Sequence, residues 1–158
     1  MDRQCDVIFK NLLAKLHKNV LKPNGYKKTA SNFRLFHPNG LCKIINFQKS
    51  LYSCDGEIRF TVNVGLYYQH DLESPNLRFK EYECKVRARV RGVSNRYDTD
   101  KWWTITEDTD VERIYAEFET VFKEDVLPWL DQFNSWDDVI RVGRQGGFRY
   151  MFCSSLYR

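Results

Sequence analysis

No stretch of the sequence approaches the ~18–20 consecutive apolar residues that a membrane-spanning helix needs, which excludes such a helix within it. The first residues, Met1-Asp2-Arg3-Gln4-Cys5-Asp6, lack the basic-then-apolar pattern of a secretory signal, so a soluble, cytoplasmic protein is expected. Cysteine is sparse: Cys5, Cys42, Cys54, Cys84 and Cys153 are odd in number, widely spaced and contain no C-x-x-C pair. That pattern points to reduced thiols rather than a disulfide framework. The three histidines, His17, His37 and His70, have no second ligand at zinc-like spacing, so no metal is expected. Missing too are the phosphate-loop, dinucleotide, nucleophile-elbow and zincin motifs, so no cofactor is expected. Gly143 to Gly147 runs into an aromatic stretch rather than a helix start and makes a poor phosphate loop. Asp137-Asp138 fits helix capping, and Asp98 and Asp100 share a loop with no third ligand.

Aromatic residues are plentiful at 15%, and 158 residues suit one domain, 1–158, with ample material for a core. Val7, Ile8, Leu12, Leu16 and Val20 recur at helical steps and predict an amphipathic helix over 2–21, stopped by Pro23-Asn24-Gly25. Strands are predicted over 32–37 and 41–50, with the turn Pro38-Asn39-Gly40 between them. The clearest strand alternates Ile58, Phe60, Val62, Val64 and Leu66 with Arg59, Thr61 and Asn63, the pattern of a sheet buried on one face only. A polar loop near 70–76 precedes a fourth strand over 83–91, and Trp102 to Thr106 offers a fifth. Thr109 to Glu112 has capping-box spacing ahead of a helix ending near Pro128, and Ser135 to Asp138 caps a short second one. Phe148 to Ser154 is either an added strand or a docked tail. The expected fold is α+β: an antiparallel meander of four to five strands, with the N-terminal and C-terminal helices packed on one face.

Charge is unevenly placed. Residues 1–50 carry 10 basic and 2 acidic side chains, 51–100 carry 8 of each, and 101–158 carry 7 basic and 11 acidic. A basic first helix lying beside an acidic later one accounts for part of this. Lys85, Arg87, Arg89 and Arg91 alternate with apolar residues, so their side chains project from one face about 7 Å apart. Like charges so placed call for acidic partners, solvent or an anionic ligand, and Glu57, Glu81 and Glu83 are near enough in sequence to compensate some of them. Arg59, Asn63, Arg87 and Arg89 therefore line the polar face, with Asn46 and Gln48 from the second strand. One of Trp102 and Trp103 belongs to the core and the other to this face, and Trp103 is taken with the arginines as the aromatic of the site. Carboxylate or phosphate recognition suits arginine; a charged edge that resists aggregation, or an internal polar network, suits it equally.

The ordered set Gly25-Tyr26-Lys27-Lys28, Ile45 to Ser50, Phe60 to Gly65, Cys84-x-x-Arg87-x-Arg89 and Asp100-x-Trp102-Trp103 resembles a bacterial family known as a domain of unknown function, number 4304. The resemblance covers roughly residues 5–130 and leaves a C-terminal helix and tail over 131–158. Where the family often reads Arg-hydrophobic-Gly, this chain has Arg89-Val90-Arg91-Gly92, one residue longer. The likeness implies a shared fold in a small intracellular protein and brings no activity. The leading expectation is a non-enzymatic module, of immunity type by analogy, whose polar face engages a protein partner. Nucleic-acid or nucleotide binding is the first alternative, weakened by a net charge of only +4. An enzyme acting on an anionic small molecule is the second.

Overall fold

The computed structural model describes residues 3–90, 101–145 and, as backbone, 152–154. Arg91, Gly92, Asp98, Asp100, Gly146, Gly147 and the start of the last segment at Phe148 lie outside the described residues.

Helix α1, Gln4–Leu16, buries Cys5, Ile8, Phe9, Leu12, Leu13 and Leu16 along one stripe. Val7 is off that stripe and exposed, whereas Phe9 and Leu13, absent from the expected pattern, are on it. The chain then widens into a π-helical turn at His17–Leu21 and tightens at Lys22–Asn24. Gly25, at φ +89°, ends it in a left-handed conformation that a side chain would strain.

Among the described residues seven antiparallel strands follow: β1 Lys27–Thr29, β2 Asn32–Phe36, β3 Leu41–Lys49, β4 Glu57–Tyr68, β5 Val86–Val90, β6 Trp103–Thr106 and β7 Phe152–Ser154. The sheet runs β1-β2-β3-β4-β5-β7, and β6 shares the β4 edge with β5. Strand β5 pairs with Asn63 to Leu66 of β4, and β6 pairs with Glu57 to Phe60. One edge of β4 is thus served by two strands, β5 and β6. The fold is α+β, as the order of elements implied, with more strands than four or five because β1 and β7 are each three residues long. The expected fourth strand over 83–91 starts only at Val86, and Glu81–Glu83 is a 3₁₀ turn.

Inward-facing Phe33, Ile45, Phe47, Phe60, Val62, Val64 and Trp103 meet α1 and the C-terminal helices in the main core. Those helices are α2 Val111–Val121, α3 Leu127–Asp131 and α4 Trp136–Arg144. Phe118 of α2 lies 5.8 Å from the Phe47 and Phe60 rings and 4.8 Å from Trp103, tying the helix layer to three strands. Helix α2 is capped by Asp110, whose side chain accepts from the Glu112 and Arg113 amides, and not by Thr109, which accepts from the Thr106 amide. Pro128 does not end the helix. A π-helical turn at Phe122–Val126 shifts the hydrogen bond of the Leu127 amide to Phe122, which makes room for the proline ring, and α3 continues to Asp131. Ser135 and Asp138 form the expected capping box on α4. Lys15 of α1 reaches Glu112 of α2 at 2.9 Å, so the basic and acidic helices do lie together. Among the described residues no helix is long and apolar enough to cross a membrane.

The outer face is not uniformly polar. Phe36, Cys42, Ile44 and Tyr67 form a second apolar cluster with Phe79 and Cys84. These last two belong to a strap, residues 69–85, that leaves the end of β4, crosses the outer face and rejoins the sheet at β5. Phe79 stacks on Tyr67 with ring centres 4.4 Å apart, and Arg34 of β2 donates Nε and Nη2 to the Phe79 carbonyl at 3.0 and 2.8 Å. Cys84 packs here rather than against the main core, and burial pushes its thiol pKa up. A Cβ on Gly65 would come within 2.6 Å of the Cys84 sulfur, so the strap can lie this close only over a glycine.

Lys43 is the anomaly of the inner face, 2% exposed among apolar neighbours. Burial lowers its pKa, while Asp131 and Asp138 raise it. A lysine that binds its proton less tightly when folded destabilises the fold while charged, and this cost fades as pH rises through the folded pKa towards the unfolded ~10.4. Lys43→Met is expected to be at least as stable as the native protein near neutral pH, with the difference narrowing as pH approaches 10. Urea unfolding across pH measures it, and a large loss of stability on substitution would contradict the expectation.

Candidate functional site

The half of the outer face that the strap leaves uncovered holds most of the residues expected to form a site. Pairing places Asn32 opposite Asn46, Asn46 opposite Asn63 and Asn63 opposite Arg89, so four strands carry one polar row. The row is continuously bonded. Asn46 donates Nδ2 to Asn32 Oδ1 at 2.8 Å, Asn63 donates Nδ2 to Asn46 Oδ1 at 3.1 Å, and Arg89 donates Nε to Asn63 Oδ1 at 3.0 Å. The second amide hydrogen of Asn63 goes to Gln48 Oε1 at 2.8 Å. Thr61, fully buried, donates its hydroxyl to the Lys101 carbonyl at 2.8 Å and ties the returning chain down beside the row.

Asn63 is the centre of this network and only 3% exposed. Its carbonyl oxygen and amide group are both used, as a buried amide requires. Asn46, Gln48, Asn63 and Arg89 are thus brought together in one bonded scaffold, in which Asn63 is buried, Asn46 and Arg89 are half-buried and Gln48 is exposed. Arg87 has a different task. Its Nε and Nη2 meet the two carboxylate oxygens of Glu81 at 2.9 and 3.2 Å, a bidentate clamp that closes the end of the strap onto β5. The hydrogen bonds it donates to Glu81 raise the Arg87 pKa beyond its ordinary value, so this cation already has its partner. Glu83 turns instead to the Lys80 amide, at 2.6 Å.

The tryptophans divide between the faces as alternation requires, but in the order opposite to that expected. Trp103 is 4% exposed in the main core, stacked on Phe60, with its indole N–H on Glu117 at 3.0 Å. Trp102 is the aromatic of the outer face. The Arg59 guanidinium lies 5.9 Å from its ring centre and that of Arg89 5.6 Å, so two cations share this ring. Arg59 is exposed and has no ion pair among the described residues. Beside it, the β3–β4 hairpin presents Leu51 and Tyr52, 97% and 85% exposed. Neither was singled out in the sequence, where two apolar residues in a loop carry no periodic signal. Among the described residues no group of three or more His, Cys, Asp or Glu is gathered to hold a metal ion.

A family model described as Domain of unknown function (DUF4304) matches residues 17–132, a span that takes in the whole polar row, the strap and both tryptophans. No curated protein and no solved structure matches the chain.

Because Asn63 serves three partners, Asn63→Ala is expected to cost about 1–3 kcal/mol in urea unfolding, the penalty of leaving buried polar groups unpaired. Arg59→Ala, on the exposed rim, is expected to stay within about 0.5 kcal/mol of the native protein. Equal losses from the two would contradict the division between scaffold and rim.

Proposed function

The chain belongs to the DUF4304 family of domains of unknown function, and on that premise we propose that it is a binding module whose uncovered outer face docks a protein with an acidic, partly apolar surface. The observation that carries this reading is the Trp102 ring with both the Arg59 and Arg89 guanidiniums over it, and Tyr52 and Leu51 exposed in the hairpin that bonds to the Arg59 backbone. Tryptophan, tyrosine and arginine dominate the energetics of protein interfaces, because each combines a large contact area with a directed polar end. The bonded row beneath them holds their strands in fixed register, so the surface is formed before a partner arrives and little ordering entropy opposes docking. Arg59, without a carboxylate partner among the described residues, supplies the charge that an acidic partner would meet, and the encounter should weaken with salt. Arg87 is excluded from the contact set, since Glu81 already holds it.

The test is affinity capture from lysate at low and moderate salt, followed by titration of the purified partner against native protein and variants checked for folding by circular dichroism. Arg59→Glu and Trp102→Ala are each expected to weaken binding about 30-fold or more, the equivalent of the ~2 kcal/mol of a hot-spot side chain. Lys27→Glu, on the other side of the strap, should leave it unchanged. A partner indifferent to both rim substitutions would overturn the proposal. Retention of bulk nucleic acid, released steeply by salt, would replace it with base stacking on Trp102 and electrostatic binding of phosphates.

A further inference from the structure

A cavity of about 530 Å³ lies on the other side of the strap, between residues 69–78 and the outer face of β1, β2 and β3. That volume is in the range of small-molecule sites, roughly 300–1,000 Å³. Its walls differ in chemistry. Lys27, Arg34 and Arg78 line it, and Lys27 sits directly opposite Arg34 in the β1–β2 register. Among the described residues no Asp or Glu lines it. The rest of the wall is largely apolar, with Phe36 from β2 and Leu72, Pro75 and Leu77 from the strap. Leu72 and Leu77 remain 57% and 60% exposed, an unusual amount of apolar surface around one opening.

Arg34 is the decisive residue. It is 3% exposed, and the only side-chain hydrogen bonds it makes among the described residues run from Nε and Nη2 to the Phe79 carbonyl, with the Phe79 ring 5.4 Å from the guanidinium. A neutral carbonyl orients the guanidinium but does not balance its charge. Buried charges are ordinarily paired, and this one has no ion pair among the described residues and has Arg78 as a like-charged neighbour. Burial, and then Arg78, pull its pKa below the ordinary value, and the smaller opposing pull of Cys84 and Glu83 does not restore it. The His37 imidazole, also in the wall, keeps Nε2 buried without a hydrogen-bond partner among the described residues.

We propose that this cavity binds a small molecule in which a carboxylate or phosphate group is joined to an apolar body. The anionic group meets Arg34 between Lys27 and Arg78, supplying the direct ion pair that Arg34 lacks among the described residues. The apolar body lies along Phe36, Leu72 and Leu77 and removes their surface from water. This site is separate from the docking surface, and either can hold without the other.

The test uses hexanoate and hexyl phosphate as probes, with hexanol and inorganic phosphate as their separate halves, followed by calorimetric titration and thermal unfolding. Arg34 is left in place because it holds the strap. Lys27→Gln/Arg78→Gln alters two exposed cations and is expected to keep the unliganded Tm within a few degrees of native. Saturable one-to-one binding of at least one amphiphile, with a rise in Tm, is expected, and the double variant should weaken it about tenfold or more. Preference for hexyl phosphate or for hexanoate would support the site and assign its head group. Binding of hexanol as tight as hexanoate would overturn the proposal in favour of a plain apolar pocket. Phosphate binding as tight as hexyl phosphate would overturn it in favour of a bare anion site. It also fails if no probe saturates at millimolar concentration, or if the double variant binds undiminished.

Discussion

A single buried guanidinium sets the arrangement of the outer face. Arg34 projects from an interior strand, and the carbonyl it grips belongs to Phe79, 45 residues later in the chain. With that carbonyl fixed, the Phe79 ring lies flat on Tyr67, and the apolar side chains around Cys42 and Ile44 are shielded from water. Glu81 then meets Arg87, and Cys84 passes over Gly65 before the chain enters β5. Neutral peptide oxygens are modest partners for a buried cation. The contact therefore holds the strap in place and leaves a charge in need of compensation.

The strap divides the sheet surface into two regions that meet their polar needs differently. On the uncovered side, asparagines and Arg89 satisfy one another across directly paired positions, where side chains on facing strands are about 4.5–5.5 Å apart. Such a row is rigid, and it supports Trp102 and Arg59 at its edge. On the covered side, apolar burial does most of the work and the cations gather around the cavity. The inner face carries the ordinary core, with Lys43 as a costly exception.

Much of the architecture was legible in the sequence. The strict alternation of β4 fixed which side chains face inward, the turn at Pro38-Asn39-Gly40 located the β2–β3 hairpin, and the likeness to the family rested on residues within the matched span. Asn46, Gln48, Asn63 and Arg89 followed from the same period-2 reasoning. What stayed hidden was non-local. Lys27-Lys28-Thr29 is exposed at all three positions and bears no strand pattern. Assigning Trp102 and Trp103 to faces requires the register at which the chain rejoins β4, which counting along the chain cannot supply across the intervening residues. Arg34 drew no notice, because what buries it is a segment that reads as a polar loop, with Phe79 as the main hint that it packs.

The central claim is that the Arg34 anchor holds the strap, and that the strap rather than the sheet depends on it. Amide hydrogen exchange of Arg34→Met against the native protein tests this most directly. Protection should fall across residues 69–85 while β3, β4 and α2 keep theirs. Unchanged exchange in the strap, or an even loss throughout the chain, would contradict the account.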